Sequence, residues 1–394
     1  ITECRQFDYL TMMTESSLDC DSVGLQMSGW QCRECEIPMK GKRLGGMMVT
    51  LRELANSLDA SDMLGHIRNF PSDLAAAWEK SESWGLANLE TQTFTGVICL
   101  GMGGSASGGD FLSCLSDADG CLPFVTHRGY DLPTWVSENW LVLATSYSGN
   151  TEETLDAVEA AIGLGCSVVG LSSGGALQSL VQNSNQIWIE LPSGQPPRSA
   201  FGHIFGTQVA LAWRLGIMSP PEDLNEMLVR LSEAVDACDF IDDEDEDVVV
   251  EMAQSILNRE VSVLATQSLA PAAYRAACQL NENGGVFSRS HIIPEMNHNE
   301  IVAWGESNAT DNQSLLIFSW DGIHERNDLR LDWFLDNITV EPTWGLLCEG
   351  ESQLEALLYA VILMDWLSCA VALLRGKDPT AIGPIVGLKD HLSQ

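Results

Sequence analysis

An α/β fold with two doubly wound domains, each a parallel sheet flanked by helices, is what this sequence predicts. Three observations carry the prediction. Short apolar runs alternate with helical segments along most of the chain, the pattern of parallel strands joined by crossover helices. Two of those runs, 96–100 and 140–145, pass straight into loops rich in glycine or hydroxyls and then into helices, as strands do where a sheet binds ligands. At 394 residues, with 45% hydrophobic residues, Gly 34 and only 7% aromatics, the chain is long enough for two hydrophobic cores.

Residues 1–46 differ from the rest of the chain. The chain opens on Ile1, and Cys4, Cys20, Cys32 and Cys35 fall in this stretch. The Cys32-x-x-Cys35 pair has neither a second pair at finger or ribbon spacing nor a nearby histidine, so zinc is not expected. The segment reads as an extension, disordered or upstream of a start at Met47 or Met48. Over 47–85, Leu51, Leu54, Leu58, Leu64, Ile67 and Phe70 recur at helical spacing, and Pro71 stands where a further helix would begin. The first α/β domain, 86–215, places strands at 96–100, 123–126, 140–145, 167–171 and 186–191. Its helices are expected from about 107, over 152–164 and near 203–215. Residues 216–258 read as a helical acidic connector, centred on six consecutive acids from Asp242 to Asp247, a pattern of solvated loops. The second α/β domain, 259–376, has strands at 262–265, 314–319 and 339–342 and a long apolar helix over 354–374. Residues 377–394 form a C-terminal tail. The halves repeat a fold without an obvious shared sequence.

Composition narrows the partners. The 55 acidic residues outnumber 20 basic ones, for a net charge of −35, and only Lys40, Lys42, Lys80, Lys377 and Lys389 are lysines. Such a surface repels nucleic acid and anionic membranes. Acid excess with so little lysine predicts a protein adapted to concentrated salt, where self-repulsion is screened. No apolar run is read as approaching the ~18 residues of a membrane span, and no signal peptide opens the chain. The 12 cysteines lack framework spacing and read as reduced thiols of a cytoplasmic protein.

Two loops carry the candidate chemistry. Ser146-Tyr147-Ser148-Gly149-Asn150-Thr151 joins a strand to a helix whose first-turn N–H groups and dipole attract an anion. The hydroxyls of Ser146, Ser148 and Thr151 add neutral donors, and the loop reads as a phosphate seat for a small molecule. Gly101-Met102-Gly103-Gly104-Ser105-Ala106 satisfies a dinucleotide fingerprint. The next strand, however, ends in Thr126-His127-Arg128 and not in the acid a ribose requires, so NAD is not expected. Gly103 and Gly104 would instead bring backbone close to a sugar, with Ser105 as a hydrogen-bonding partner.

The pair GMGGS…SYSGNTEET resembles sugar isomerase (SIS) domains. With Pro197-Arg198-Ser199-Ala200, Asn281-Glu282-Asn283 and Pro294-Glu295-Met296-Asn297-His298-Asn299-Glu300-Ile301, in that order, the chain from about Met47 onward resembles the archaeal bifunctional phosphoglucose/phosphomannose isomerases. The resemblance implies two SIS-type domains and interconversion of glucose 6-phosphate, and of mannose 6-phosphate, with fructose 6-phosphate through a cis-enediolate. It implies Glu282 as the base, His298 for ring opening with help from Lys389, and Arg198 as the cation beside the enediolate. Gly103, Gly104 and Ser105 would meet the sugar and Ser146, Ser148 and Thr151 the phosphate. It further implies no metal or cofactor, and a homodimer with the active site between subunits. Glu295 and Glu300 are expected to orient His298 or to line the site. The stretch Arg275-Ala276-Ala277-Cys278 departs from the family in lacking a lysine, and Thr380 is the hydroxyl near the family's sugar-discriminating position. Two alternatives stand beside this reading: another SIS-type sugar-phosphate isomerase, and a sensor that binds sugar phosphates without catalysis. Both Glu282 and His298 argue against the sensor, which needs only the seat.

Overall fold

The computed structural model describes residues 42–44, 47–241, 247–306 and 312–392. The cysteines at 4, 20, 32 and 35, the acids 242–246 and the end of the tail lie outside those residues. Strands β1 (Lys42–Leu44) and β2 (Met47–Val49) form an antiparallel pair. Three helices come next, α1 (Leu51–Leu58), α2 (Met63–Arg68) and α3 (Phe70–Ser81), with a short α4 (Ala87–Glu90). Helix α1 starts in a capping box: Thr50 Oγ1 accepts from the Glu53 N–H, and the Glu53 carboxylate accepts from the Thr50 N–H. Pro71 sits at the start of α3, where its missing N–H is harmless.

The first domain contains β3 (Gly96–Leu100), α5 (Gly104–Asp119), β4 (Phe124–His127), β5 (Trp140–Thr145), α6 (Glu152–Leu164), β6 (Ser167–Ser172), α7 (Gly175–Asn183), β7 (Ile187–Glu190) and α8 (Phe201–Arg214). Its five strands are all parallel, in the order β4-β3-β5-β6-β7. Helix α5 starts at Gly104, earlier than the expected position near 107, because the glycine loop itself forms the first turn.

Helices α9 (Leu224–Cys238) and α10 (Val248–Ser255) occupy the acidic connector. Asp247, last of the acidic run, caps α10 by accepting from the Val250 N–H. The second domain contains β8 (Glu260–Thr266), α11 (Ala270–Gln279), a wide π-helical turn at Leu280–Gly284, β9 (Ser288–Ile293), α12 (Ile301–Glu306), β10 (Gln313–Ser319), α13 (Glu325–Asn337), β11 (Thr343–Leu347), α14 (Gln353–Leu374) and α15 (Gly383–Leu392). Its parallel sheet runs β11-β10-β8-β9. The strand expected at 339–342 lies four residues later: Val340 is buried from a loop, and the Pro342 carbonyl accepts the Leu315 N–H at the foot of the ladder.

The two expected cores are differently arranged. One large central cluster joins α1, α2, α3, α8, α9, α10, α11 and α14 with inner faces of both sheets, and a smaller cluster covers the outer face of each sheet. The acidic connector is therefore structural: Met227, Leu231, Val235, Val249 and Met252 all enter the central core. Helix α14 also corrects the expectation that no segment matches a membrane span. It is long and apolar enough to cross one by length and composition, but it lies entirely inside the protein.

Candidate active site

Strand β5 is fully apolar and buried up to Thr145, so the chain emerges at the carboxyl edge of the sheet directly into the hydroxyl loop. Ser146 Oγ donates to Thr151 Oγ1 at 2.8 Å and accepts the Thr151 N–H at 3.3 Å, which closes the loop. Gly149 has φ +70, and a Cβ there would stand 1.8 Å from the Gly174 carbonyl oxygen, so only glycine fits this crossing of two loops. Thr151 is the N-cap of α6 but makes no side-chain cap bond, which leaves the first-turn N–H donors open to a ligand. Ser148 is exposed at the loop tip, and its Oγ accepts the Asn150 N–H.

The glycine loop lies beside this seat. Ser105, buried at the start of α5, accepts the Tyr147 N–H on Oγ at 3.2 Å, so the two loops share a hydrogen bond. Gly103 has φ +53 and caps α5. At Gly104 a Cβ would stand 3.3 Å from both the Cα and the N of Arg198. Its bare backbone is what lets the segment carrying Arg198 reach the glycine loop.

Arg198 is only 4% exposed, yet it lies against a half-open carboxylate: Nη1 is 3.7 Å from Glu282 Oε2. Nη2 donates to the Pro379 carbonyl at 2.7 Å, and Nε donates to Asn283 Oδ1. Burial lowers the pKa of the guanidinium, an effect that Glu282 opposes by favouring the charged form. The NEN motif now has a mechanical meaning. Asn281 Nδ2 donates to the Ala277 and Ser288 carbonyls, while Asn283 Nδ2 donates to Ser368 Oγ. The flanking asparagines pin the wide turn on both sides and leave Glu282 facing outward toward Arg198. Such π-helical turns are uncommon and concentrate at functional sites.

Three residues that the sequence reading left without a role, Lys377, Arg275 and Asp365, support this pair. Lys377 Nζ donates to the Glu282 and Asn283 carbonyls, each at 2.7 Å. Burial and the neighbouring Arg198 charge lower its pKa. Arg275, at the start of the stretch without a lysine, is buried; it pairs with Asp365 at 2.6 Å, stacks 4.5 Å over Phe201 and donates to the Arg198 carbonyl at 2.9 Å. The rarity of lysine singled out Lys377, but nothing local linked it to a turn some ninety residues away.

His298 ends a single helical turn, Glu295–His298, and is exposed, and Lys389 lies on α15, which has no buried residue. The contacts joining Arg198, Glu282, Asn283, Lys377 and Pro379 include neither of them. Glu295 and Glu300, expected to orient His298 or to line the site, bond to other side chains. Glu300 pairs with Nδ1 of His291 on β9, whose Nε2 lies 3.2 Å from Ser262 Oγ, and Glu295 accepts from Asn299 Nδ2. Among the described residues no group of three or more His, Cys, Asp or Glu side chains is gathered as for a metal ion.

Comparison with known proteins gives one consistent answer. Residues 246–392 match the family described as the bacterial phospho-glucose isomerase C-terminal SIS domain. The chain is 32% identical over 305 residues to the bifunctional phosphoglucose/phosphomannose isomerase of Aquifex aeolicus, covering 76% of this chain and 91% of that protein. The protein of the same name from Caldicellulosiruptor bescii is 29% identical over 338 residues, covering 84% and 99%. Among solved structures, tagatose-6-phosphate ketose/aldose isomerase from Escherichia coli superposes with a TM-score of 0.62 at 16% identity, over 81% of this chain and 94% of that one. Glucosamine-6-phosphate deaminase from Thermotoga maritima gives 0.60 at 16% identity, over 81% and 96%. These likenesses show a shared two-domain SIS fold. With that fold, five sequence motifs in order and relatives matched over nearly their whole length, the chain belongs to the bifunctional phosphoglucose/phosphomannose isomerase family.

Proposed function

We propose that this chain interconverts glucose 6-phosphate and mannose 6-phosphate with fructose 6-phosphate by proton transfer through a cis-enediolate. The observation that carries the reading is the buried Arg198 guanidinium 3.7 Å from the part-exposed Glu282 carboxylate, on a turn held by both neighbouring asparagines. A carboxylate takes the acidic C2 proton and returns it at C1, and a fixed cation beside it stabilises the negative charge that develops on the two oxygens. The substrate phosphate would sit on the open N-terminus of α6 among Ser146, Ser148 and Thr151, with the sugar over Gly103, Gly104 and Ser105. The same enediolate can be reprotonated at C2 from either face, so two aldose products need no second catalyst.

Ring opening falls to His298, assisted by Lys389, in a homodimer whose active site lies between subunits. Two features support that arrangement: His298 is exposed on its own chain, and α15, which carries Lys389, buries no residue on its own protomer while exposing Ile385, Val386, Leu388 and Leu392. The net charge of −35 suits an enzyme working in concentrated salt. The test is turnover of fructose 6-phosphate to both aldose phosphates in concentrated KCl with EDTA, comparing wild type with Glu282→Gln. Loss of the general base should lower kcat by at least ~10²-fold. Full turnover by the variant would remove Glu282 from its role, and phosphate-ester binding without turnover by the wild type would favour the sensor.

A further inference from the structure

The two sheets are built on one plan. In the first, β3-α5-β4 is followed by β5-α6-β6; in the second, β8-α11-β9 is followed by β10-α13-β11, and in both the first and third strands lie side by side. Each half therefore has a crevice at the carboxyl ends of a central strand pair, at the point where strand order reverses, where open α/β sheets bind ligands. In the first half that crevice holds the glycine and hydroxyl loops. Its counterpart is open too: a cleft of about 1010 Å³ lies at the ends of β8 and β10, bounded by Ser268, Tyr274, Trp320, Asn327 and Gln353, with Asp117 reaching in from α5. Counted from the flanking strands, Asp117 stands within one residue of the place Glu282 takes in the other half.

The loops of this second cleft have lost the features of an anion seat. Directly after the strand, Trp320 replaces the hydroxyl of Ser146, and its indole N–H is spent on Ser268 Oγ at 3.2 Å. His324 caps α13 by accepting the Arg326 N–H on Nδ1 at 3.1 Å, whereas the N-terminus of α6 has no such plug. Arg128, whose guanidinium lies 5.6 Å over the Tyr274 ring, is already paired with Asp110. What remains is aromatic surface, with Tyr274 46% exposed, beside a carboxylate, the side-chain amide of Asn327 and the amide oxygen of Gln353, whose Nε2 is held by the Ser268 carbonyl and Cys114 Sγ. Apolar ring faces next to a few acceptors and amides fit the C–H faces and hydroxyls of a sugar, while Asp117, unlike the Arg128-paired Asp110, keeps its charge beside the cleft and repels a phosphate dianion.

We propose that this cleft is a second ligand site, the pseudo-symmetric counterpart of the active site, and that it takes an uncharged hydroxyl-bearing ring of hexose size. It binds without isomerising, because among the described residues no arginine lines the cleft beside Asp117 as Arg198 stands beside Glu282.

Saturation-transfer NMR of the full chain with D-glucose as probe tests this, with glucose 6-phosphate as the charged comparison. Wild type should bind glucose saturably in the range of about 1 mM to 50 mM, a few kcal/mol of affinity. Thr151→Val and Glu282→Gln, which act on the first site, should leave that binding in place. Tyr274→Ala and the exposed Asp117→Asn should each weaken it about tenfold without altering turnover of fructose 6-phosphate measured in the absence of glucose. The proposal is overturned by any of three results: no saturable glucose signal, loss of the signal in the first-site variants alone, or equally tight binding of glucose 6-phosphate that responds to Asp117→Asn. None of these depends on whether the chain isomerises its phosphorylated substrates.

Discussion

Replacing Lys377 with methionine preserves the length and apolar stem of the side chain and removes only its charged head. In the fold that head donates to the Glu282 and Asn283 carbonyls, each at 2.7 Å, and reaches the Asp378 carbonyl at 3.4 Å. A hydrogen bond to a charged donor contributes about 1.5–3 kcal/mol. The side chain is half-buried, so the lower figure applies, and two bonds hold the turn by roughly 3 kcal/mol. If half of that is expressed as placement of the Glu282 carboxylate, kcat falls about tenfold, since about 1.4 kcal/mol of barrier is a factor of ten. KM should change less than about twofold, because the phosphate seat is held by Ser146, Thr151 and Ser105 and not by Lys377. Lys377→Arg should recover most of the rate. Steady-state turnover of fructose 6-phosphate reads both parameters. An unchanged kcat, or a rise in KM alone, would refute the positioning role. The group also leaves a signature in pH. Burial and Arg198 hold its pKa below the ordinary 10.5, so just below pH 10.5 the folded chain binds fewer protons than the unfolded one. Stability of wild type relative to Lys377→Met should therefore rise with pH as this window is crossed, and denaturant titrations at stepped pH will show it.

Three further outcomes rest on packing and charge. Gly104→Ala places a Cβ 3.3 Å from the Arg198 backbone and should lower kcat/KM about tenfold by displacing the guanidinium, as turnover measurements would reveal; a full-rate variant would mean the glycine is not there to admit Arg198. Arg275→Met strands the buried Asp365 carboxylate and should cost about 3–5 kcal/mol in urea unfolding, with a loss under about 1 kcal/mol contradicting the buried pair. Removing KCl should lower the melting temperature, since 55 acids then repel one another unscreened; indifference to KCl would defeat the salt-adapted reading.

Much of the scaffold was readable because its strands are buried on both faces. The runs at 96–100 and 140–144 are uniformly apolar, and the helix at 152–164 continues directly from the loop before it. Strand β9 went unread because Ser288, Arg289, Ser290 and His291 break the apolar pattern; two of these polar groups are buried and satisfied, Ser288 by the Val261 carbonyl and His291 by Glu300 and Ser262. Helix α7 was hidden behind Gly174 and Gly175, which read as a turn but form its N-cap and first residue. In the site, the phosphate loop was readable because its ligand groups are contiguous. The base-bearing turn was readable only as a motif. Its supports, Asp365, Ser368, Lys377 and Pro379, come from α14 and the short segment after it, and no local pattern encodes a contact across such a span.

Helix α14 has a consequence for the order in which the molecule assembles. It follows α1, α2, α9, α10 and α11 in the chain, yet it packs against all five of them. Until residues 353–374 emerge, the apolar faces of those helices that meet α14 stay uncovered, and the first sheet can form while the shared centre cannot. A nascent chain of this kind stays open to chaperones until α14 has been made. Loss of even the last few turns of α14 would therefore strand hydrophobic surface on helices far apart in the sequence at once.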